Sequence, residues 1–138
     1  MTKILLPNDG SEASMRALEQ VLQRGIAELE LHLLNIQLPV DGNVRTFVNA
    51  EALNAYHREE GLADLAAARA QLDALGVTYQ QHVLVGHPAD MIRRFADEND
   101  FDEIVMGTHG RTGLLQLLMG SVASEVSAKA ETRVTLVR

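Results

Sequence analysis

Two short segments hold the residue types best suited to chemistry. Pro7-Asn8-Asp9-Gly10-Ser11 follows the apolar run Ile4-Leu5-Leu6, and Gly107-Thr108-His109-Gly110-Arg111-Thr112-Gly113 follows Glu103-Ile104-Val105-Met106. Glycines 107, 110 and 113 tolerate positive φ and close backbone approach, so successive N–H groups can converge on an anion. Gly120-Ser121 comes next and reads as the start of the main part of a helix. The first N–H groups of such a helix and its partial positive charge would favour the same anion, and the Ser121 hydroxyl adds a donor. A glycine loop facing a helix start suits a polyphosphate. Spaced glycines also serve tight turns and close helix packing, and that reading stands equally. Asp9 is open in the same way. Its carboxylate could accept from a ribose hydroxyl or an adenine amine, or it could order its own turn and help Ser11 cap a helix.

The elements that must position these segments are legible as an alternation. Residues 4–7, 29–36, 77–85, 103–106 and 133–137 read as strands. Between them lie helical patterns: one capped by Ser11, with Met15, Leu18 and Leu22 at helical spacing and Gly25 at its end; a second carrying Leu62, Leu65, Ala68, Leu72 and Leu75, closed by Gly76. Pro88 opens a third, with Met91, Ile92, Phe95 and Ala96 on its buried face, and the last carries Leu115, Leu118, Val122 and Val126. Strict alternation predicts a parallel sheet with helices on both faces and right-handed crossovers. In such a sheet ligands bind beyond the carboxyl ends of the strands, where the strand order reverses. One long connection, from Gln37 to about Glu51, reads either as a solvated insertion or as a lid. No repeat, low-complexity tract or linker interrupts the chain, so residues 1–138 are expected to form a single domain.

Totals narrow the function. The formal net charge is −7, which argues against a nucleic-acid-binding surface but not against a nucleotide held by backbone N–H groups. Cysteine is absent, which removes disulfides, thiolate metal sites and cysteine nucleophiles. The opening residues have no extended apolar region or cleavage site, and no apolar run approaches the roughly 18 residues of a membrane span. These features predict a cytoplasmic protein with no membrane partner.

The pattern Gly107-x2-Gly110-x9-Gly120-Ser121 resembles the nucleotide-binding signature of the universal stress protein family, in its ATP-binding branch. The resemblance covers the chain, since Ile4-Leu5-Leu6-Pro7-Asn8-Asp9-Gly10-Ser11 looks like the family's opening strand and turn. Gly86-His87-Pro88-Ala89 and Asp102-Glu103-Ile104-Val105-Met106-Gly107 look like a later helix entry and its fourth strand. It implies an α/β fold with an open five-stranded parallel sheet of order 3-2-1-4-5, Rossmann-like and similar to the adenine nucleotide alpha hydrolases, with ATP across strands 1 and 4. Carried over, Pro7 and Asp9 would lie by the adenosine and Ile36 against the base. Gly107, Gly110, Gly120, Ser121 and Val122 would line the ribose and phosphates, with Ala123 beside them, and Met106, His109 and Arg111 complete the expected nucleotide site. Some relatives carry a hydroxyl where Ala123 stands, Asn8 replaces an apolar residue, and Thr132-Arg133 lacks a proline often found before the last strand. The resemblance further implies a homodimer pairing the last strands, Arg133 to Val137, across a two-fold axis.

Binding is better supported than catalysis. The G-x-x-x-x-G-K-[ST] loop is absent, and the chain has two lysines, Lys3 and Lys129, neither near the glycines in sequence. Phosphoryl transfer needs a cation on the developing charge and a group that orients the nucleophile. Only His109 and Arg111 lie in the loop, so at most slow ATP hydrolysis is expected. A lone histidine is no metal site, and a Mg2+ ion accompanying ATP would be held by phosphates and water. Three rival readings share parts of the pattern. A flavin carrier is disfavoured by 4% aromatic content, and a phosphoacceptor receiver by Gly86-His87 and Arg133 where an aspartate and a lysine belong. A dimeric interaction module whose glycines are structural remains.

Overall fold

The computed structural model describes residues 1–40, 49–108 and 116–138, with the backbone alone for 116–119. Strands β1 (Thr2–Pro7), β2 (Leu29–Gln37), β3 (Tyr79–Val85), β4 (Glu103–Gly107) and β5 (Arg133–Val137) form a five-stranded parallel sheet in the order β3-β2-β1-β4-β5. This is the expected architecture. The order reverses between β1 and β4, where Ile4 pairs with Glu103 and Leu5 with Ile104. Helices α1 (Glu12–Leu22), α2 (Ala50–Asp64), α3 (Ala66–Ala74), α4 (Pro88–Glu98) and α5 (Gln116–Lys129) complete the fold.

The two faces of the sheet sort the strand residues by parity, as the pleat requires. Ile4, Leu6, Leu31, Leu33 and Val105 pack beneath Ala17, Leu18 and Val21 of α1 and Ala68 and Leu72 of α3. Leu5, Leu34, Ile104 and Met106 pack on the other side against Ala89, Ile92 and Ala96 of α4 and Ala123 and Val126 of α5. Most of these side chains have no exposed surface, and each large one stabilises the fold by about 1.5–3 kcal/mol relative to exposure.

The structure departs from the sequence pattern in three places. The helix expected around residues 62–75 is two helices that meet at Leu65, and the first begins at Ala50. Within α2 only His57 and Gly61 are buried, so no apolar stripe marks it. Its start is set by Asn49, whose Oδ1 accepts from the Ala52 N–H at 2.7 Å. Gly61 lets it lie close on the sheet, because a Cβ there would sit 2.5 Å from Val83 Cγ1. The third strand starts at Tyr79 instead of residue 77. The last helix starts at Gln116, so Gly120 and Ser121 lie past its first turn. Their N–H groups are therefore not the orphan donors of a helix start. The long connection does run between Gln37 and Ala50, but its residues 41–48, and with them the choice between insertion and lid, lie outside the described residues.

Among the polar side chains buried in the sheet are Glu103 and His32. Glu103 is 1% exposed. Its carboxylate accepts from Arg24 in a fork at 2.8 and 3.1 Å, from Arg133 at 3.2 Å, and from the Thr135 hydroxyl. Burial would raise its pKa, yet the Arg24 and Thr135 hydrogen bonds and the two arginine charges together hold it below the ordinary carboxylate value. His32, also buried, has Nε2 2.7 Å from Glu30 and Nδ1 2.9 Å from His82 Nε2. A carboxylate can only accept, so His32 Nε2 carries a proton, and in the neutral ring Nδ1 accepts from His82.

Candidate functional site

The site grows out of the turn that ends β1. Asn8 is pinned there because its N–H donates to Leu34 O at 2.8 Å. Its side-chain Oδ1 accepts from the Gly10 N–H at 2.8 Å, and Asp9 Oδ1 accepts from the Ser11 N–H at 3.0 Å. These are two successive side-chain-to-backbone turns, each reaching two residues ahead. They need positive φ at Gly10, which has φ 84°. Ser11 then caps α1 by accepting from the Ser14 N–H at 3.2 Å. So the turn-ordering reading of Asp9 holds, and it holds together with a position at the mouth of a cleft.

That cleft opens where the strand order reverses. It has a volume of about 200 Å3 and is lined by Pro7, Asn8 and Asp9 from the end of β1 and the turn after it, Ser14 from α1, Leu34 and Ile36 from β2 and Leu38 just past it, Pro88 and Ile92 from α4, Met106 and Gly107 from β4, and Val122 from α5. The walls are apolar and the polar groups collect on one side, from Asn8 to Ser14. Parallel strands make this hollow, because the helices leaving β1 and β4 depart to opposite faces and leave the strand ends uncovered.

Nine of the twelve expected residues are described, and the structure brings six of them here. Pro7, Asp9, Ile36, Met106, Gly107 and Val122 line the cleft. Ser121 is exposed on α5 next to Val122, whereas Ala123 is 2% exposed and packs inside the α4–α5 core. His109, Gly110 and Arg111 lie outside the described residues. Sequence reasoning missed Asn8, Ser14, Leu34, Leu38, Pro88 and Ile92 as lining residues. Leu34 and Ile92 were legible only as core, since nothing in a periodic pattern separates a residue at the end of a core from one inside it.

The two described glycines of the signature differ. A Cβ on Gly107 would lie 2.7 Å from the Ala13 carbonyl carbon and 2.8 Å from its oxygen, so α1 packs against β4 only because residue 107 has no side chain. A Cβ on Gly120 would meet only the Thr108 carbonyl oxygen, at 3.8 Å, among the described residues. Packing therefore accounts for Gly107 and leaves Gly120 without a demand from the described fold.

Comparison with known proteins matches residues 1–138 to the Universal stress protein family. The chain is 32% identical to universal stress protein MJ0531 of Methanocaldococcus jannaschii, with 99% of this chain and 81% of that one covered. The solved structure of MJ0577, reported as a structure-based assignment of biochemical function, superposes with a TM-score of 0.81 at 30% identity, covering 99% of this chain and 94% of that one. A universal stress protein solved in complex with cAMP superposes with a TM-score of 0.73 at 26% identity, covering 99% and 97%. With the glycine signature, the reversal between β1 and β4 and a match over every residue in agreement, the chain belongs to the universal stress protein family.

Proposed function

We propose that this chain binds an adenine nucleotide, ATP with Mg2+ carried on its phosphates, and acts as a nucleotide-dependent sensor or interaction partner in a stress response. The observation that carries the reading is the apolar cleft at the strand reversal, with Asp9 among its lining residues. At about 200 Å3 the cleft is smaller than the roughly 300–1,000 Å3 of a pocket that engulfs a whole drug-sized ligand. It suits the base and sugar, with Ile36 against the base and the phosphates running outward past Met106 and Gly107 to His109, Gly110, Arg111, Gly120, Ser121 and Val122. The bound cAMP of one relative supports this class of ligand. Ala123, packed in the core, contributes shape and no contact. Residues 1–138 act as one domain in this reading, in the cytoplasm.

Binding without efficient hydrolysis is the expectation. Lys3 donates to Asn99 O at 2.6 Å, at the opposite end of the sheet, and Lys129 lies in the last turn of α5 beside Glu125. Neither supplies the cation that phosphoryl transfer needs. Strand β5 lies at a sheet edge with Leu136 41% exposed, which suits a homodimer that pairs Arg133–Val137 with a second copy. A monomer in sedimentation at micromolar concentration would remove the dimer.

One observation favours the rival reading, an interaction module whose glycines are structural: Gly107 is required by packing alone. Calorimetric titration with ATP and Mg2+ decides between them. The wild type should bind with micromolar affinity, and a folded Gly110→Val, Gly120→Val double variant should not. If the wild type ignores ATP, ADP and AMP alike, the interaction module takes over.

A further inference from the structure

Ser14 has no place in the glycine signature, yet it lines the cleft from the first turn of α1 and is 8% exposed. Its hydroxyl donates to Asp9 Oδ1 at 2.8 Å. The same oxygen atom accepts from the Ser11 hydroxyl at 3.0 Å and from the Asp9 N–H at 3.3 Å. A serine hydroxyl has one proton and two lone pairs, so these three bonds use its whole capacity. Ser11 closes the circuit, accepting from the Ser14 N–H and donating to the Ser14 oxygen. Asp9 Oδ1 is thereby held by two donors, the Ser11 N–H and the Ser14 hydroxyl.

We propose that Ser14 is a positioning residue for nucleotide binding, fixing the Asp9 carboxylate in the orientation it presents to the cleft. The inference rests on the nucleotide-binding reading above. A hydroxyl whose only proton is given to Asp9 has none to give a ligand, so its effect on binding passes through Asp9. A carboxylate at a cleft mouth is free to rotate about two side-chain torsions unless something holds it, and a ligand that must freeze it loses affinity for that ordering. The Ser11 N–H constrains Oδ1 along one direction, and the Ser14 hydroxyl adds a second. Both donors are themselves fixed, one by the turn and one by the first turn of a helix.

The position also separates this role from helix capping. The Ser11 cap uses the Ser14 main-chain N–H, which Ser14→Ala keeps, and alanine is the stronger helix former. A purely structural serine would thus be replaced without loss to ligand binding. The experiment is a double-mutant cycle with calorimetric ATP titration and thermal melts on the wild type, Ser14→Ala, Asp9→Ala and the double variant. On the scale of one charge-assisted hydrogen bond, Ser14→Ala should weaken ATP binding about tenfold in a protein that the melts show to be folded at the titration temperature. In the Asp9→Ala background the same change should cost nothing further. Undiminished affinity in Ser14→Ala, or an equal loss in both backgrounds, would overturn the proposal. Failure of the wild type itself to bind ATP would instead overturn the reading on which it rests.

Discussion

The two ends of this sheet treat polar groups in opposite ways. At the amino end Glu103 is surrounded by Arg24, Arg133 and Thr135, and Asp102 accepts from the Lys3 N–H at 2.8 Å. A concavity of about 490 Å3 lies there, lined by Met1, Thr2, Glu28, Asp102, Glu103 and Arg133, so it is the larger of the two hollows. Its charges are largely spent on one another. At the carboxyl end the smaller cleft has apolar walls, and Asn8, Asp9 and Ser14 are arranged along one rim. Size does not mark the site. What marks it is apolar surface that the fold leaves uncovered beside polar groups that the backbone holds still.

If that contrast is right, breaking the amino end should cost stability and spare the ligand. Glu103→Ala carries the largest expected effect. It strips Arg24 and Arg133 of a buried partner, a change that costs about 3–5 kcal/mol when both charges stay buried. Arg133 is mostly exposed and Arg24 about one third exposed, so both can return to water, and about 3 kcal/mol is expected. Urea unfolding gives the number, and ATP titration below the transition should give the wild-type affinity. A lost affinity would mean that the two ends are coupled.

The glycines bring the same contrast inside the site, with smaller effects. Gly107→Ala forces a Cβ against the Ala13 backbone and should cost about 2 kcal/mol, as overpacking does. Among the described residues, Gly120→Ala adds a methyl group that meets only ordinary contact at Thr108, and it replaces glycine within a helix, so it should add about 0.5–1 kcal/mol of stability. Its nucleotide affinity should fall if Gly120 is kept for the ligand. Thermal melts and calorimetry on the two variants check both signs. A Gly120→Ala protein that is more stable and binds ATP as before would leave that glycine unexplained.

The legibility of the fold in the sequence follows the same division. Strands such as Leu29–Gln37 and the α1 and α4 faces announce themselves because they bury apolar side chains at a fixed period. Helix α2 does not, because what it buries is a histidine and a glycine. The rim of the site was half legible. Asp9 stood out as an acid after a strand, but its hydrogen bonds to Ser11 and Ser14 depend on turn geometry that two Asx-type bonds create together. The helical pattern from Leu115 to Val126 is legible in the sequence, but Gly120-Ser121 resembles a helix opening and sits past the first turn of α5. Glu103 gave no signal as a buried acid, since its partners come from residues 24, 133 and 135. Likewise His32 and His82, scattered in sequence, meet through the parallel register that sets Leu34 opposite His82.

That histidine pair, between the two ends of the sheet, supplies the smallest expected effect. Burial, and then the nearby His32 and Lys3, push the His82 pKa below the usual histidine value. The unfolded chain therefore binds a proton that the folded chain resists, and stability must rise with pH through the interval between the folded pKa and the ordinary value. It is fully present above about pH 6.5 and declines as the pH falls through that interval. His82→Gln, which keeps a donor toward His32 Nδ1, should flatten this slope in urea unfolding measured from pH 5 to pH 7. Glu30 stays on His32 Nε2 in both proteins. The ATP affinity of the variant, measured at pH 7.5 where neither protein carries the extra proton, should match the wild type, because the histidine pair touches neither the rim from Asn8 to Ser14 nor the cleft walls.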